Sequence, residues 1–180
     1  MQILKEKLNK QTLRKNAIQK RDFMAQIGLI KKLSNSITKK ILNSSDYKNA
    51  KNIALYFPIK NEIDITKIIT NKKNFYLPKC TNLKMSFHKV TSLTNLKTGA
   101  FNIPEAYGYE IEAKNLDVIY IPALLANKKC YRLGYGKGFY DRFFAENYTK
   151  AKKIIVLPQN FISEDFVEDE FDIQCDEIIF

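Results

Sequence analysis

Apolar residues recur at two different spacings along this chain of 180 residues. In the N-terminal part they lie three or four positions apart, which is the spacing of one helix face. We predict an amphipathic helix over residues 1–20, a second over 22–43 and a turn at 43–46. The second helix has the more regular face, which we expect to pack on a sheet. Its members step by four, three, four, three and four: Phe23, Ile27, Ile30, Ser34, Ile37 and Ile41.

The pattern then changes to short apolar runs of strand length, at residues 53–57, 75–77, 118–121 and 154–157. Each run is followed by a proline, which cannot donate to a strand ladder, so these residues predict strand ends: Pro58, Pro78, Pro122 and Pro158. Residues 85–90 and 176–180 predict further strands. Helical patterns at 65–69 and after 138 favour βαβ units. We predict a single α/β domain over 1–180, with three α/β/α layers, a mostly parallel sheet and the N-terminal helices packed on it.

The composition is that of an ordinary globular protein, with 45% hydrophobic and 27% charged residues. No apolar run approaches the length of a membrane span, and the N-terminus lacks a secretory leader. The three cysteines, Cys80, Cys130 and Cys175, are far apart and form neither a metal motif nor a disulfide framework. These features predict a cytoplasmic protein with reduced thiols and no membrane partner, and we expect it to act as a monomer.

The chain is basic, with 30 Lys and Arg against 19 Asp and Glu and a net charge of +11. Such a balance suits nucleic acid, an anionic small molecule, or a lysine-rich composition without a specific partner. Base readout and planar phosphate clamps favour arginine. This chain has only four arginines: Arg14, Arg21, Arg132 and Arg142. We therefore expect small-molecule substrates and no nucleic acid, and keep a basic RNA-binding protein as the alternative.

Residues 132–142 contain three of the six glycines within five positions: Gly134, Gly136 and Gly138. Alternating glycines can turn several N–H groups toward one anion. An apolar segment from Phe139 onward predicts a helix whose N-terminus would add to that attraction. Arg132 and Lys137 flank the loop, and Asp141 follows where magnesium would need an oxygen ligand. The stretch predicts a phosphate-binding loop with Arg132 and Lys137 as its catalytic cations, and a plain surface turn is the alternative.

Several common sites are excluded. The loop is neither a GxxxxGK[ST] phosphate loop nor a GxGxxG fingerprint, because Lys137 is followed by glycine and the third glycine comes one residue early. His88 is the only histidine, and it lies in a strand-like alternation, so we expect a structural role. Serine and cysteine hydrolase triads are therefore excluded, and Cys130 is not expected to be a nucleophile.

The residue order RLGxGxGxYD over 132–141 closely resembles the signature of the 5-formyltetrahydrofolate cyclo-ligase family, in which it forms the nucleotide loop. The resemblance implies ATP as a co-substrate, bound by these loop residues: Arg132, Gly134, Tyr135, Gly136, Lys137, Gly138, Phe139 and Tyr140. It also implies that the segment holding Lys10, Leu13 and Arg14 contributes to the ATP site. From the residues alone, Lys10 and Arg14 lie one helical turn apart and form either a solvated basic face or a phosphate clamp.

The resemblance also implies a folate site. Glu62, after the first predicted strand, would recognise the folate, and Phe57 would pack on it. Phe101 stands where the family often has tryptophan and would take the stacking role, and Tyr140 would also contact the substrate. A carboxylate suits the N–H donors of a pterin, and an aromatic wall suits its flat ring. From the residues alone, Glu62 could instead cap the following helix.

A magnesium site is implied by the same resemblance. Asp172, in the acidic segment 164–177, matches the family's second metal position beside Asp141, and Asp176 is the nearby alternative. A solvated acidic tail is the interpretation from composition alone. The family usually has glycine two residues before the motif arginine, where this chain has Cys130, and this difference implies a different turn.

The matching segments run from Lys10 to Asp172 and together imply one reaction. ATP and 5-formyltetrahydrofolate would give 5,10-methenyltetrahydrofolate, ADP and phosphate, with Mg²⁺ as the cofactor. The formyl oxygen would attack the γ-phosphate to form an iminium phosphate, and N10 would then close the ring without a protein nucleophile. A second alternative is a phosphate-sugar or acyl-carrier relative on a similar sheet, which would not need ATP.

Overall fold

The computed structural model describes residues 9–99 and 102–180. The helices are α1 Lys10–Gln26, α2 Leu29–Asn43, α3 Ser45–Asn49 and α4 Phe139–Glu146. The strands are β1 Asn52–Ala54, β2 Asn74–Thr81, β3 Lys84–Lys89, β4 Lys97–Thr98, β5 Pro104–Glu105, β6 Glu110–Ile111, β7 Val118–Pro122, β8 Leu125–Ala126, β9 Arg132–Leu133, β10 Lys152–Val156 and β11 Glu177–Ile179. Short 3₁₀ turns are Thr66–Ile68, Leu93–Asn95, Ala113–Asn115 and Gln159–Phe161.

A seven-stranded sheet in the order β11-β10-β7-β1-β2-β3-β6 forms the centre of the molecule. The strands from β11 to β2 pair in parallel, and β3 and β6 add an antiparallel end. The inner strands are apolar on both faces, as a covered parallel sheet requires: Ile53 and Ala54, Phe75 and Tyr76, Ile119 and Tyr120 are all buried. The predicted mixed fold with a mostly parallel sheet is confirmed.

Helices cover both faces of this sheet. The strand registers place Lys152 of β10 and Phe87 of β3 on opposite faces. Lys152 pairs with Asp46 of α3, with its Nζ 2.9 Å from Asp46 Oδ2. On the other face, the rings of Phe87 and Phe143 of α4 meet edge to face, 5.1 Å between centroids. The molecule therefore has the expected α/β/α layers.

The helix boundary near residue 21 was predicted wrongly. α1 continues to Gln26, and the chain breaks at Gly28, whose φ of 72° lies in the left-handed region and ends a helix at little cost. Phe23 and Ile27 are 61% and 57% exposed, so the buried face of α2 begins only at Ile30. The part of the first predicted helix over residues 1–8 lies outside the described residues. The predicted turn at 43–46 contains the start of α3, capped by Ser44.

Two of the four proline predictions were also wrong. β1 ends at Ala54, four residues before Pro58. Pro78 lies inside β2, opposite Phe87 of β3. The last pair between β1 and β2 is Ala54 with Tyr76, so Pro78 lies beyond β1 and pairs only with β3. On the side that β1 no longer covers, the missing N–H of Pro78 costs no hydrogen bond of the sheet. Pro122 is the last residue of β7, as predicted. Among the helices that the structure describes, none has the length and apolarity needed to cross a membrane.

Candidate functional site

A cavity of about 1190 Å³ opens beyond the carboxyl ends of β1, β2 and β7, where ligands bind in parallel α/β sheets. The start of α1, the loop after β1, the loop 132–142 and the acidic segment 169–173 line it. Every predicted site residue that the structure describes lines this cavity: Lys10, Arg14, Phe57, Glu62, Arg132, Gly134, Tyr135, Gly136, Lys137, Gly138, Phe139, Tyr140, Asp141 and Asp172. Phe101 lies outside the described residues.

The glycine loop connects β9 to α4 and is packed against arginine side chains. A Cβ on Gly134 would lie 3.0 Å from Arg132 Nη1, one on Gly136 3.2 Å from Arg14 Cζ, and one on Gly138 2.8 Å from Arg142 Nη1. Gly136 and Gly138 also have φ angles of 87° and 65°. The absence of side chains at the three glycines therefore leaves room for three guanidinium groups. These groups concentrate positive charge near the N-terminus of α4.

All three of these arginines are anchored by hydrogen bonds, Arg142 through two backbone carbonyls. Arg14 Nε donates a hydrogen bond of 2.9 Å to the carbonyl of Gly134. Arg132 is buried, and its Nη2 donates to Asp141 Oδ1 at 3.0 Å, while its Cζ lies 5.1 Å from the centroid of the Tyr140 ring. A buried, paired guanidinium is held in one position, so Arg132 fixes Asp141 at the wall of the cavity.

The acidic segment reaches the same place from the C-terminal side. Lys10 Nζ lies 2.5 Å from Asp169 Oδ2 and 2.6 Å from Asp172 Oδ2. The N–H of Asp169 also donates to Asp172 Oδ2 at 2.7 Å, and the N–H of Ile173 donates to Asp141 Oδ1 at 3.4 Å. Asp141 and Asp172 are thus brought together at one end of the cavity, with Lys10 beside them.

These two carboxylates fit a magnesium ion. Mg²⁺ is bound through one or two carboxylates together with substrate phosphates and waters, so it does not require a larger acidic cage. Within the described ranges, no group of three or more His, Cys, Asp or Glu side chains is placed to hold a metal ion. Asp176 accepts from the N–H of Lys153 at 2.7 Å and does not line the cavity, which favours Asp172 over Asp176.

Glu62 is a buried acid in the wall of the same cavity. Lys60 and Asn61 adopt left-handed φ angles of 45° and 61°, and the tight turn they form brings Glu62 Oε2 within 3.0 Å of the N–H of Ile59. Burial raises the pKa of Glu62 from 4.5 to about 7, and the Ile59 hydrogen bond, Arg21 and Lys60 lower it in part. The capping alternative is not supported, because Asp64 rather than Glu62 accepts the N–H of Thr66, at 2.8 Å.

Two tyrosines that line the cavity, Tyr135 and Tyr140, interact with Glu62. Both hydroxyls are buried; that of Tyr140 has no hydrogen-bond partner among the described residues, whereas that of Tyr135 lies beside the Arg21 guanidinium. Burial raises the pKa of both, to about 12 for Tyr135, so both phenols are neutral donors at physiological pH. Tyr140 therefore keeps an unused donor in the wall of the cavity.

The turn before the loop corrects one expectation. Cys130, at the position where the family usually has glycine, adopts a φ of 64°. This is the left-handed conformation that glycine favours, so the turn keeps a glycine-type backbone despite the cysteine side chain. The different turn that the sequence implied is not what the structure shows.

Three residues were missed from the sequence: Asp169, Lys60 and Arg21. Asp169 and Asp172 both form ion pairs with Lys10. Lys60 lines the cavity with its Nζ 5.1 Å from the centroid of the Tyr135 ring. Arg21 is buried and donates a hydrogen bond to the carbonyl of Ala123, a residue of the cavity wall. The sequence offered two signals, the acidic segment 164–177 and the small number of arginines. Neither signal showed which individual residues lie at the site.

The fold and the cavity define the class of protein: an α/β protein with a cationic glycine loop at the carboxyl edge of its sheet, where ligands bind in such folds. The comparisons give the family. A profile of the 5-formyltetrahydrofolate cyclo-ligase family matches residues 6–180. A 5-formyltetrahydrofolate cyclo-ligase of Mycoplasma pneumoniae is 33% identical over 173 residues, or 96% of this chain and 98% of the relative. The chain belongs to the 5-formyltetrahydrofolate cyclo-ligase family, and it is an enzyme acting on small-molecule substrates.

Solved structures agree. The 5,10-methenyltetrahydrofolate synthetase of Aquifex aeolicus matches with a TM-score of 0.84 and 31% identity, over 96% of this chain and 89% of that one. The 5,10-methenyltetrahydrofolate synthetase of Mycoplasma pneumoniae matches with a TM-score of 0.78 and 28% identity, over 96% and 98% of the two chains. The sheet and the loops around the cavity therefore belong to a fold shared by enzymes of this name.

Proposed function

We propose that this protein converts 5-formyltetrahydrofolate to 5,10-methenyltetrahydrofolate with ATP and Mg²⁺, releasing ADP and phosphate. Family membership supports the cyclo-ligase activity. The observation that carries the ATP-dependent form is one cavity whose wall contains both a cationic glycine loop and a buried glutamate. A triphosphate on the loop and a pterin on Glu62 would then share that space, with their reacting groups between them.

The triphosphate side consists of the loop and α1. Lys10, Arg14, Arg132 and Lys137 supply positive charge, and the N–H groups of the loop and of the first turn of α4 supply donors. Such groups are fixed before the substrate arrives, so they stabilise charge that develops on the transferring phosphoryl group without reorganising. Arg132 and Lys137 are our proposed catalytic residues. The remaining loop contacts to ATP are Gly134, Tyr135, Gly136, Gly138, Phe139 and Tyr140.

The folate side consists of Glu62, Phe57 and Tyr140, and we propose Phe101 as a further wall. An ionised carboxylate accepts two N–H donors, which a pterin ring presents along one edge. Glu62 is buried, so this recognition takes place away from water, where each hydrogen bond counts for more. The aromatic side chains would hold the flat ring in place.

Asp141 and Asp172 would hold the magnesium ion. When bound, the metal would neutralise charge on the β- and γ-phosphates. Arg132 keeps the Asp141 carboxylate oriented through its 3.0 Å hydrogen bond. Lys10, which pairs with Asp172, stands where it can also reach the phosphates from the same end of the cavity.

The reaction then needs alignment rather than a protein nucleophile. The formyl oxygen on N5 attacks the γ-phosphorus, the bond to ADP breaks, and an iminium phosphate forms. N10 attacks the activated carbon and loses its proton, and the C–O bond breaks to release phosphate and leave the methenyl bridge. Lys137 and Arg132 offset the charge on the phosphoryl oxygens during the first step, and the cavity walls keep the formyl oxygen in line.

The test is growth of the methenyl-folate absorbance band on mixing the protein with ATP, magnesium and 5-formyltetrahydrofolate. We expect a signal that requires all three additions. Lys137→Ala should reduce turnover by about two orders of magnitude or more, since it removes one preorganised charge. Lys150→Ala, at an exposed position of the same chain, is the matched control and should retain full turnover. No absorbance change with the wild type would overturn the proposal, and near-normal turnover of Lys137→Ala would remove that residue from the mechanism.

A further inference from the structure

Glu105 is a buried acid to which the proposed reaction gives no role. It is the last residue of β5, and it is 4% exposed. Its Oε1 accepts the N–H of Cys80, near the end of β2, at 3.2 Å. Burying a carboxyl group costs free energy unless it is hydrogen-bonded, so the position of this acid calls for an explanation.

The hydrogen bond closes an open edge of β2. β1 accompanies β2 only as far as Tyr76, so beyond that residue one side of β2 has no neighbouring strand. Backbone N–H groups of an antiparallel strand point alternately to its two sides, and positions 78 and 80 point to the side that β1 has left. Pro78 has no N–H there, and the N–H of Cys80 is accepted by Glu105. The carboxyl group of Glu105 therefore takes the place of a neighbouring strand at Cys80.

Gly99 leaves room for this arrangement. β4 and β5 form a hairpin, in which Lys97 lies opposite Glu105 and the N–H of Gly99 donates to the Ile103 carbonyl at 2.8 Å. A Cβ on Gly99 would lie 2.0 Å from Cδ of Glu105 and 2.1 Å from its Oε2, closer than real Cβ atoms come. The Glu105 side chain thus passes over its own hairpin where a side chain is missing, and it reaches β2 by that path.

The hairpin carries part of the cavity wall. Residues 102–104 line the same cavity as Glu62 and Cys80. β4 and β5 have only two residues each, and a two-stranded hairpin of that length is not stable on its own. Contacts with the central sheet must therefore hold the hairpin in place, and the bond from Cys80 to Glu105 is one of them.

We propose that Glu105 is a positioning residue for the folate: its hydrogen bond with the Cys80 N–H holds the β4–β5 hairpin on β2 and so places residues 102–104 as a wall of the cavity. This inference rests on the proposed function, which places the folate beside Glu62 in the same cavity. Glu105 acts through the hairpin and does not itself line the cavity.

The first measurement tests the contact without any ligand. Amide hydrogen exchange is followed by NMR in the wild type and in Glu105→Ala. We expect exchange at the Cys80 N–H and in segment 97–105 to become about tenfold faster in the variant, because the hydrogen bond is lost and the hairpin opens locally. Amides of the inner strand β7 report any general loss of stability and should change much less. Unchanged exchange at Cys80 would overturn the proposal.

Gly99→Ala disturbs the same contact by another route, because its methyl group displaces the Glu105 carboxyl group. It carries the test if Glu105→Ala does not fold. In each single variant we expect a KM for 5-formyltetrahydrofolate about tenfold higher, with the KM for ATP within about twofold of the wild type. The double variant Gly99→Ala/Glu105→Ala should be no worse than Glu105→Ala, since no carboxyl group is left to displace. Losses that multiply in the double variant would overturn the proposal.

Asp117→Ala is the matched control. Asp117 Oδ2 also accepts backbone N–H groups of the sheet, those of Lys51 and Asn52 at 2.8 Å each, but at the amino end of β1, away from the cavity. Its loss should lower the midpoint of urea denaturation without changing either KM. A rise in the KM for 5-formyltetrahydrofolate equal to that in Glu105→Ala would trace the effect to stability and count against a positioning role.

Calorimetric titration with 5-formyltetrahydrofolate, without ATP, separates this inference from the proposed function. Binding about tenfold weaker in Glu105→Ala supports the inference. Wild-type affinity in Glu105→Ala, together with faster exchange in the hairpin, would overturn the folate role of Glu105. If the wild type itself binds no 5-formyltetrahydrofolate, the proposed function fails and the folate role fails with it, whereas the exchange result still decides whether Glu105 holds the hairpin on β2.

Discussion

Gly136 meets two constraints at once. Its φ of 87° is a conformation that side-chain-bearing residues rarely adopt, and a Cβ would lie 3.2 Å from Arg14 Cζ. Gly28 shares the first constraint, with a φ of 72°, but a Cβ there would meet nothing within 4 Å. A substitution at Gly28 therefore tests backbone strain alone, whereas one at Gly136 tests backbone strain together with crowding of Arg14.

We predict that Gly136→Ala weakens ATP binding by about tenfold or more, because the new methyl group displaces Arg14 from the loop. Alanine in the left-handed region also costs about 1–2 kcal/mol of stability. Gly28→Ala should show a similar loss of stability with unchanged ATP affinity. The measurements are urea denaturation and ATP titration by calorimetry for both variants. Equal ATP affinity in the two variants would mean that Arg14 does not contact the nucleotide.

Glu62 links stability to pH. Its pKa is 4.5 when exposed and about 7 in the folded protein. The unfolded chain therefore releases this proton first as the pH rises, and folding stability falls between about pH 4.5 and 7 and then stays constant. A rise of about 2.5 pKa units corresponds to a loss of about 3 kcal/mol. Glu62→Gln cannot ionise, so its stability relative to the wild type should increase over this range.

Urea denaturation of the ligand-free wild type and Glu62→Gln at pH 5, 6, 7 and 8 checks this prediction. The stability difference between the two proteins should grow by up to about 3 kcal/mol from pH 5 to 8. Glu146→Gln, at an exposed position of α4, is the control and should track the wild type at every pH. A difference between Glu62→Gln and the wild type that does not change with pH would show that Glu62 ionises normally when folded.

Among the helices, α1 contacts several separate segments around the cavity. Lys10, Arg14 and Arg21 are four and seven residues apart, which places all three on one face of the helix. Lys10 reaches the acidic segment, Arg14 the glycine loop and Arg21 the end of β7. The helix therefore holds three separate walls of the cavity together, and its first turn carries the residue nearest the proposed metal site.

The cap of α1 should accordingly affect ATP use. Asn9 accepts the N–H of Thr12 at 2.8 Å, and Asn9→Ala should cost about 1 kcal/mol and loosen the first turn that carries Lys10. We expect a several-fold higher KM for ATP with little change in kcat. Ser44→Ala removes the cap of α3, where Ser44 accepts the N–H of Tyr47 at 3.2 Å, and should cost similar stability without changing the KM for ATP. A matching rise in KM in both variants would point to a general loss of stability as the cause.

The elements themselves were predictable to different degrees. Strands with continuous apolar runs, such as β7 and β10, were predicted within one or two residues because burial on both faces leaves a plain signal. The end of α1 was not, because Phe23 and Ile27 continue the apolar spacing although both are exposed in the structure. An apolar side chain on the surface is common, so periodicity alone could not locate the break at Gly28.

The candidate site was predictable where it is local in sequence. The loop 132–142 carries its own glycines, cations and acid, and all of them line the cavity. Glu62, Asp172 and Lys10 were assigned only through the family resemblance. Neither the local motif nor the family resemblance pointed to Asp169 or Arg21. Asp169 reaches the site through the order of the strands, and Arg21 through a hydrogen bond to Ala123, 102 residues away in the sequence. Such contacts have no local signature.

At the scale of the whole molecule, arginines and lysines are distributed differently. All four arginines lie at or behind the cavity: Arg14, Arg132 and Arg142 in its wall and Arg21 behind it. The lysines, in contrast, are spread along the chain and account for most of the net charge of +11. The net charge therefore comes mainly from lysines along the chain, of which Lys10, Lys60 and Lys137 line the cavity, whereas all four arginines lie at or behind it. We also propose that residues 1–180 act as one domain and as a monomer.

We predict that ATP with Mg²⁺ raises the melting temperature markedly. The ligand would connect α1, the glycine loop and the acidic segment, and saturation to about 100 times Kd adds about 2.7 kcal/mol. For a protein of this size that corresponds to a rise of about 5–10 °C. Differential scanning calorimetry with KCl at matched ionic strength is the control. A comparable rise with single-stranded RNA at the same phosphate concentration would instead favour the RNA-binding alternative.

The outermost strands of the central sheet are very short. β6 has two residues and β11 has three. A sheet that ends in such short segments gives a neighbouring chain few open backbone groups to pair with. Copies of the protein therefore have little opportunity to join edge to edge, and we expect concentrated solutions to resist fibrous self-association even though the strands between are strongly apolar.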